Sequence, residues 1–291
     1  MQTEAATLTP ATFPTPIING KAVPLGQDGR ILVDAGQNIG NSQLWNHKNS
    51  QEVTVDQLMA MPTPEATKTY TPISHYDVAV NALNIGSDLM QPKGWEVAGS
   101  RFQVSPDQGK FFGVIAWESQ EAADQGMRFS IGLRNSVDKK MTVGYCLGSQ
   151  VIVCDNLVMS GDTVILRKHT GNAQDDLVQA LLKGFYQATT SWQDTCALKA
   201  QMQALELNDV QAYGLLGVAL DKEVITPTQF TKVRQEWKEP RHGEFEGRNL
   251  WSLYNGATEI FKATEPAKML AAHSDLTRFS QDILAGTYSL N

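Results

Sequence analysis

Apolar positions change their period twice along this chain. From Ser74 onward, Val78, Ala82, Ile85 and Leu89 recur at helical spacing, and Ser74 is a good cap, which predicts a helix through about Met90. Then the period becomes two. The stretches 95–104, 110–118, 127–133, 141–147, 150–158 and 163–168 all read as strands. Their joining turns include Pro106-Asp107-Gln108-Gly109, Gly148-Ser149 and Ser160-Gly161-Asp162. Such turns are too short for crossover helices, so the sheet is expected to be an antiparallel meander. After His169 the helical period returns. One long helix is predicted over 175–205, with Leu177, Leu181, Phe185, Ala188, Trp192 and Cys196 on one stripe. Shorter helices follow over 208–220, 227–238, 249–262 and 267–284, and Thr226-Pro227 marks one start clearly.

The class is therefore α+β: an antiparallel meander of about six strands, preceded by one helix and followed by a long helix and a helical C-terminal region. Residues 1–64 read as an extended region, with a tail rich in Thr, Pro and Ala over 1–16, loops and one or two short strands over 17–55 with apolar pieces such as 30–33, and a proline cluster, Met61-Pro62-Thr63-Pro64, leading into the body. The sheet occupies 65–173. The helices of 174–291 are expected to pack on it as one continuous domain.

A two-residue turn at Gly148-Ser149 would pair Leu147 with Gln150, Tyr145 with Ile152 and Val143 with Cys154. Cys146 and Cys154 would then face opposite sides, unable to bridge, and both read as core thiols. Running the Ser160-Gly161 turn back places Arg167 roughly opposite Cys154, with His169 two residues further along the same face. Arg134, Asn135, Ser136, Asp138, Lys139, Lys140, Asp155, Asn156, Arg167, Lys168 and His169 would then gather at one end of the sheet. Amides and hydroxyls could hold a ligand there while the cations meet a phosphate. The plain alternative is that Asn, Ser and Asp are what loops and strand ends use.

Charge sharpens the choice of region. The chain of 291 residues carries a net charge of −7, which opposes indiscriminate coating of duplex DNA. Basic and acidic residues number 6 and 9 over 1–105, 7 and 7 over 106–173, and 11 and 15 over 174–291. An anion-binding surface is therefore expected in the middle, where Lys139/Lys140 and Arg167/Lys168 stand as pairs. Three cysteines are too few for a disulfide framework, no apolar run is long enough to cross a bilayer, and the N-terminus does not read as a signal peptide. These features point to the cytoplasm and away from a membrane.

Catalytic and cofactor motifs are not apparent. The histidines at 47, 75, 169, 242 and 273 show no metal-ligand spacing, and Gly113, Gly126 and Gly132 match no phosphate loop. Ser136, His169 and Asp155 could be imagined as a triad but lack a nucleophile elbow. Trp251, Tyr254, Ile260 and Phe261 read as core. Neither a metal nor a cofactor is expected, and an enzyme is the least favoured class.

Four segments carry a resemblance: Gly132-Leu133-Arg134-Asn135-Ser136-x-Asp138, Val151 to Leu157, Arg167-Lys168-His169-Thr170, and Asn249 to Glu259. Over 74–279 the chain resembles a family labelled "phage/plasmid-like protein", a domain of unknown function carried by phages, prophages and plasmids. It departs at Val137-Asp138-Lys139-Lys140, where many relatives read more like His-Asp-Gly-Ser. The resemblance implies a mobile genetic element as the setting. Two functions suit it: an accessory protein, a homo-oligomer, that binds or anneals single-stranded nucleic acid, or a protein-binding inhibitor of a host anti-phage defence system. The order helix, meander, long helix is also roughly that of Redβ- and RecT-type annealing proteins, an analogy of fold alone.

Overall fold

A computed structural model describes residues 17–18, 21–22, 50–151, 157–158, 164–264 and 266–288. The tail at 1–16, the apolar piece at 30–33, and Cys154, Asp155 and Asn156 lie outside them.

Two short strands, β1 (Ile17–Ile18) and β2 (Lys21–Ala22), form a hairpin, and β1 runs parallel to β4. β3 (Gln51–Val53) leads into α1 (Val55–Ala60), a helix within the region expected to be extended. Its start is a capping box: Thr54 Oγ1 accepts from Gln57 N and Gln57 Oε1 accepts from Thr54 N. α2 (His75–Met90) starts where expected, with Ser74 Oγ accepting from Asp77 N.

The central sheet consists of β4 (Glu96–Val104), β5 (Lys110–Glu118), β6 (Met127–Ser136), β7 (Val143–Val151), β8 (Leu157–Val158) and β9 (Val164–Arg167), all antiparallel and in chain order. A short helix, α3 (Gln120–Asp124), sits between β5 and β6. β8 and β9 both pair with β7, at different ends of it.

Gly148-Ser149 is not a turn. β7 runs straight through it, with Gly148 opposite Ser130 and Ser149 opposite both Phe129 and Val158. The ten-residue β6 explains this: a reversal at 148–149 would leave Met127, Arg128 and Phe129 without partners on that side, whereas the observed register carries the ladder to Met127–Val151. Glycine and serine here are small residues within a strand, a use that two-letter turn signals do not distinguish. Tyr145 pairs with Ile165 and Val143 with Arg167; Ile152 and Cys154, the partners expected from the turn, lie outside the described residues.

The expected long helix is also two. α4 (Ala173–Thr190) stops at Ser191 and α5 (Trp192–Ala204) begins after it. The run Thr190-Ser191 turns its hydroxyls back on the helix, to the carbonyls of Gln187 and Ala188, and Thr195 bonds Ser191 O. Such back-bonding competes with the backbone ladder and bends or ends helices. The remaining helices are α6 (Asp209–Asp221), α7 (Pro227–Lys238), α8 (Leu250–Phe261) and α9 (Pro266–Leu284).

Alternation divides the sheet into two unlike faces. One carries Phe102, Phe111, Ile115, Trp117, Phe129, Ile131, Leu133, Tyr145 and Leu147, all buried. α2 and α4 close over this face: Gly86 of α2 meets Trp117 and Phe185, Gly184 of α4 meets Ile165 and Leu147, and Tyr145 Oη donates to Val78 O at 3.0 Å. The other face carries Arg101, Gln103, Arg128, Ser130, Gly132 and Arg134 beside the buried Phe112, Val114, Ala116 and Cys146. Trp251, Tyr254, Ile260 and Phe261 are core, as expected.

Candidate functional site

The site lies at the end of the sheet where the β4–β5 and β6–β7 turns and the residues after β9 come together. Both turns use the same chemistry. In the first, Ser105 Oγ donates to Asp107, Asp107 Oδ1 accepts from Gly109 N at 3.1 Å, and Gln108 is left-handed at φ 54°. In the second, Ser136 Oγ donates to Asp138, Asp138 Oδ1 accepts from Lys140 N at 3.0 Å, and Lys139 is left-handed at φ 66°. The two turns touch. Val137 N donates to Gly109 O, and a Cβ on Gly109 would lie 3.2 Å from Asp138 Cβ. Ser-x-Asp is thus a turn-building device, with the aspartate standing in for a backbone acceptor.

An extended segment, Tyr70 to Ile73, ties this end to α2. A residue before proline avoids the helical region, so Thr71-Pro72 keeps the chain stretched. Thr71 N donates to His169 O at 2.9 Å. Ile73 O accepts from Asn135 Nδ2 at 2.8 Å, and Tyr70 Oη donates to Val137 O at 3.1 Å.

Below it sits a buried polar cluster. His75 Nε2 lies 3.0 Å from Gln108 O, a group that can only accept, so Nε2 carries the proton. His75 Nδ1 is then free to accept from Asn135 Nδ2 at 3.0 Å. The imidazole is stacked on Phe111, and burial pushes its pKa down. His169 is also buried, with its ring 5.6 Å from that of Tyr70, and burial lowers its pKa too. The Thr71 backbone is near enough to oppose that shift, yet neither ring nitrogen of His169 has a hydrogen-bond partner. Asn135 Oδ1 has none either.

Burial pulls the Asp138 carboxyl upward, but hydrogen bonds from Ser136 and Lys140 and the Lys140 charge outweigh it and leave its pKa below the usual range. Burial and the nearby Asp138 push the Tyr70 phenol up.

Of the residues named from the sequence, Asn135, Ser136, Asp138 and His169 do come together here, with Lys139, Lys140 and Lys168 exposed around them. Lys139 Nζ lies 4.7 Å over the Tyr70 ring, and Lys140 Nζ is 3.3 Å from Asp138. Arg167 is committed elsewhere: both its Nε and Nη2 reach Asp176, at 3.0 and 2.6 Å. Arg134 points to the opposite face of the sheet, where Nη2 donates to Thr142 and burial lowers its pKa. Ser136 spends its hydroxyl on Asp138 and accepts from the Lys140 and Met141 amides, so it is a turn residue and not an activated nucleophile.

Sequence reasoning missed Tyr70 and His75, which join the cluster from far upstream. It also missed Arg101 and Arg128, although simple alternation places them on the face of Arg134. Among the described residues, no group of three or more His, Cys, Asp or Glu could hold a metal, and no helix is long and apolar enough to cross a membrane.

The four motif segments separate in space. Gly132–Asp138 and Arg167–Thr170 build the sheet end, Val151–Leu157 lies mostly outside the described residues, and Asn249–Glu259 forms α8, in contact with α5, α7 and α9. No curated protein and no solved structure matches the chain. A family model matches residues 52–281, nearly all of the helix–sheet–helix body just described, and the chain belongs to that family, described as "Domain of unknown function (DUF932)".

Proposed function

We propose that this protein is an accessory factor of a phage or plasmid, acting in the host cytoplasm, that binds single-stranded nucleic acid. The observation that carries the reading is the crowding of exposed Lys139, Lys140 and Lys168 around the sheet end, in a chain that is acidic overall. Ammonium groups on strained or exposed turns are poorly explained by stability, since solvated cations contribute little to it. They suit phosphates. The phage and plasmid setting rests on the four sequence segments that resemble that family. Two cations expected to help, Arg134 and Arg167, are not part of this lysine group.

Fluorescence titration of a labelled oligothymidylate at several salt concentrations tests the reading. Each phosphate contact on a single strand contributes about 0.7 to the log–log salt slope. Replacing Lys139 and Lys140 with alanine is expected to flatten the slope by about 1.4 on that basis, with the melting temperature nearly unchanged. Absence of binding by the unaltered protein at low salt rejects this function. It would favour instead a protein-binding inhibitor of host defence, working through the acidic helical third.

A further inference from the structure

Far from the sheet end, α7 and α8 leave a cavity of about 420 Å³ beside their C-terminal turns. Glu239 precedes Pro240, a residue pair that ends a helix, so the chain leaves α7 there and turns back. The return lays Arg241 over both helices. Its amide and Nε reach Glu236 of α7 at 2.8 and 3.2 Å, and its Nη1 reaches Glu259 of α8 at 3.0 Å. Lys262 takes the other Glu259 oxygen at 2.6 Å. Gly256 of α8 lies under Glu236, and a Cβ there would already touch its Cγ at 3.4 Å. Two carboxylates, 7 % and 10 % exposed, thus hold at the surface an arginine that is 60 % exposed.

Pockets for small molecules run to about 300–1,000 Å³, and this one falls among them. Its wall carries three cations, Lys232, Arg241 and Lys262, and three carboxylates, Glu236, Glu239 and Glu259. All four oxygens of Glu236 and Glu259 already accept a bond, so those two groups are occupied in positioning. Other groups are not. Among the described residues, Arg241 Nη2 and Lys232 Nζ donate to nothing. Glu239 accepts from Gln235 at Oε2 and leaves Oε1 open. Ile260 and Ala263 add an apolar strip to the wall. A simple anion here would face three carboxylates, and a simple cation would face three positive groups. A ligand carrying both charges meets a partner for each.

We propose that this cavity binds a small zwitterion, an α-amino acid with an aliphatic side chain. Its carboxylate lies on the outer edge of Arg241, where a planar guanidinium offers N–H groups to two oxygens at once. Its ammonium donates to Glu239 Oε1, and its side chain lies along Ile260 and Ala263. Lys232 strengthens the hold on the carboxylate from α7. Arg241 is fixed beforehand by Glu236 and Glu259, so binding costs little in ordering it. The site is separate from the lysines at the sheet end and does not depend on the single-strand reading.

Isothermal titration calorimetry of the full chain with L-leucine, isocaproate and isoamylamine tests the proposal. Isocaproate is leucine without its ammonium, and isoamylamine is leucine without its carboxylate. Leucine is expected to bind saturably, and each analogue about tenfold or more weaker, the effect of losing one charge-assisted hydrogen bond. Glu239→Gln is expected to weaken leucine by a similar factor and leave isocaproate unchanged. Lys232→Gln is expected to weaken leucine and isocaproate alike. Both side chains are exposed, so both variants should keep the fold, which circular dichroism and melting check. The comparison of analogues on the unaltered protein stands even if a variant misfolds. No saturable binding of leucine, or equal binding of leucine and isocaproate, overturns the proposal. So does a folded Glu239→Gln variant that binds leucine as tightly as the unaltered protein.

Discussion

Asn135 donates one amide to two acceptors, His75 Nδ1 at 3.0 Å and Ile73 O at 2.8 Å, across 60 and 62 positions of chain. It is completely buried at the end of β6. Through it the start of α2 and the β6–β7 turn are held in one arrangement, and His75 passes the connection on to Gln108 in the neighbouring turn.

Removing that amide should therefore be costly. Asn135→Ala leaves Ile73 O and His75 Nδ1 buried without their donor, a loss of about 2–4 kcal/mol at about 1–3 kcal/mol for each unsatisfied group, less what relaxation or water recovers. Urea unfolding measures it. A change below about 0.5 kcal/mol, within the range of ordinary surface substitutions, would show that the bonds contribute nothing.

The two histidines set a pH dependence. Both have their folded-state pKa lowered by burial, so the unfolded chain takes up protons first. The stability linked to neutral His75 and His169 is full above the unfolded value of about 6.5 and is lost as pH falls below it. Asp107 and Asp138, with lowered pKa values, add a second loss below about pH 4, when their carboxylates protonate. Unfolding free energy measured from pH 8 to pH 5 should decline, and the decline should be shallower in His169→Gln. An equal slope in that variant would place the proton uptake elsewhere.

Gly86 separates packing from helix propensity. In an exposed helix, Gly→Ala gains about 1 kcal/mol. In α2 the added methyl would collide with the Trp117 ring and lie 2.7 Å from Phe185. Gly86→Ala should accordingly destabilise by about 1–3 kcal/mol, as overpacking does. A gain in melting temperature would mean that α2 can lift from the sheet without penalty.

The C-terminal helices carry a charged junction of their own. Arg241 Nε lies 3.2 Å from Glu236 and its Nη1 3.0 Å from Glu259, carboxylates whose side chains are only 7 % and 10 % exposed. The Arg241 amide also donates to Glu236, and Lys262 meets Glu259 at 2.6 Å. Arg241→Met would leave two buried carboxylates short of countercharge. Because Arg241 is itself well exposed, the loss should be about 1–3 kcal/mol, less than for a fully buried pair. Adding Glu236→Gln should recover part of it. No recovery in the double variant would show that Arg241 acts through packing and not charge.

Much of this architecture is legible residue by residue. Ser74, Thr226 and Asn249 cap helices because each side chain satisfies an amide three residues on, a local matter. β5 spans 110–118 as its alternation indicates. The errors came where local signals have two meanings. Gly148-Ser149 reads equally as a turn or as small residues inside a strand, and only the length of β6 alongside it decides. Thr190-Ser191 interrupts an apolar stripe that otherwise continues unbroken.

The candidate site divides the same way. The sequence by itself determined the period of most elements, the caps at Ser74 and Thr226 and the neutral charge balance of the middle region, because these depend on neighbours within a few positions or on composition. Only the tertiary structure decided that His75 and Tyr70 join Asn135 and His169, that Arg167 turns away to Asp176, and that Arg134 shares a face with Arg101. Those outcomes follow from strand register, and register is fixed by the burial of a whole face at once. A shift of one residue would turn every side chain of a strand over, so no short stretch of sequence can specify it alone.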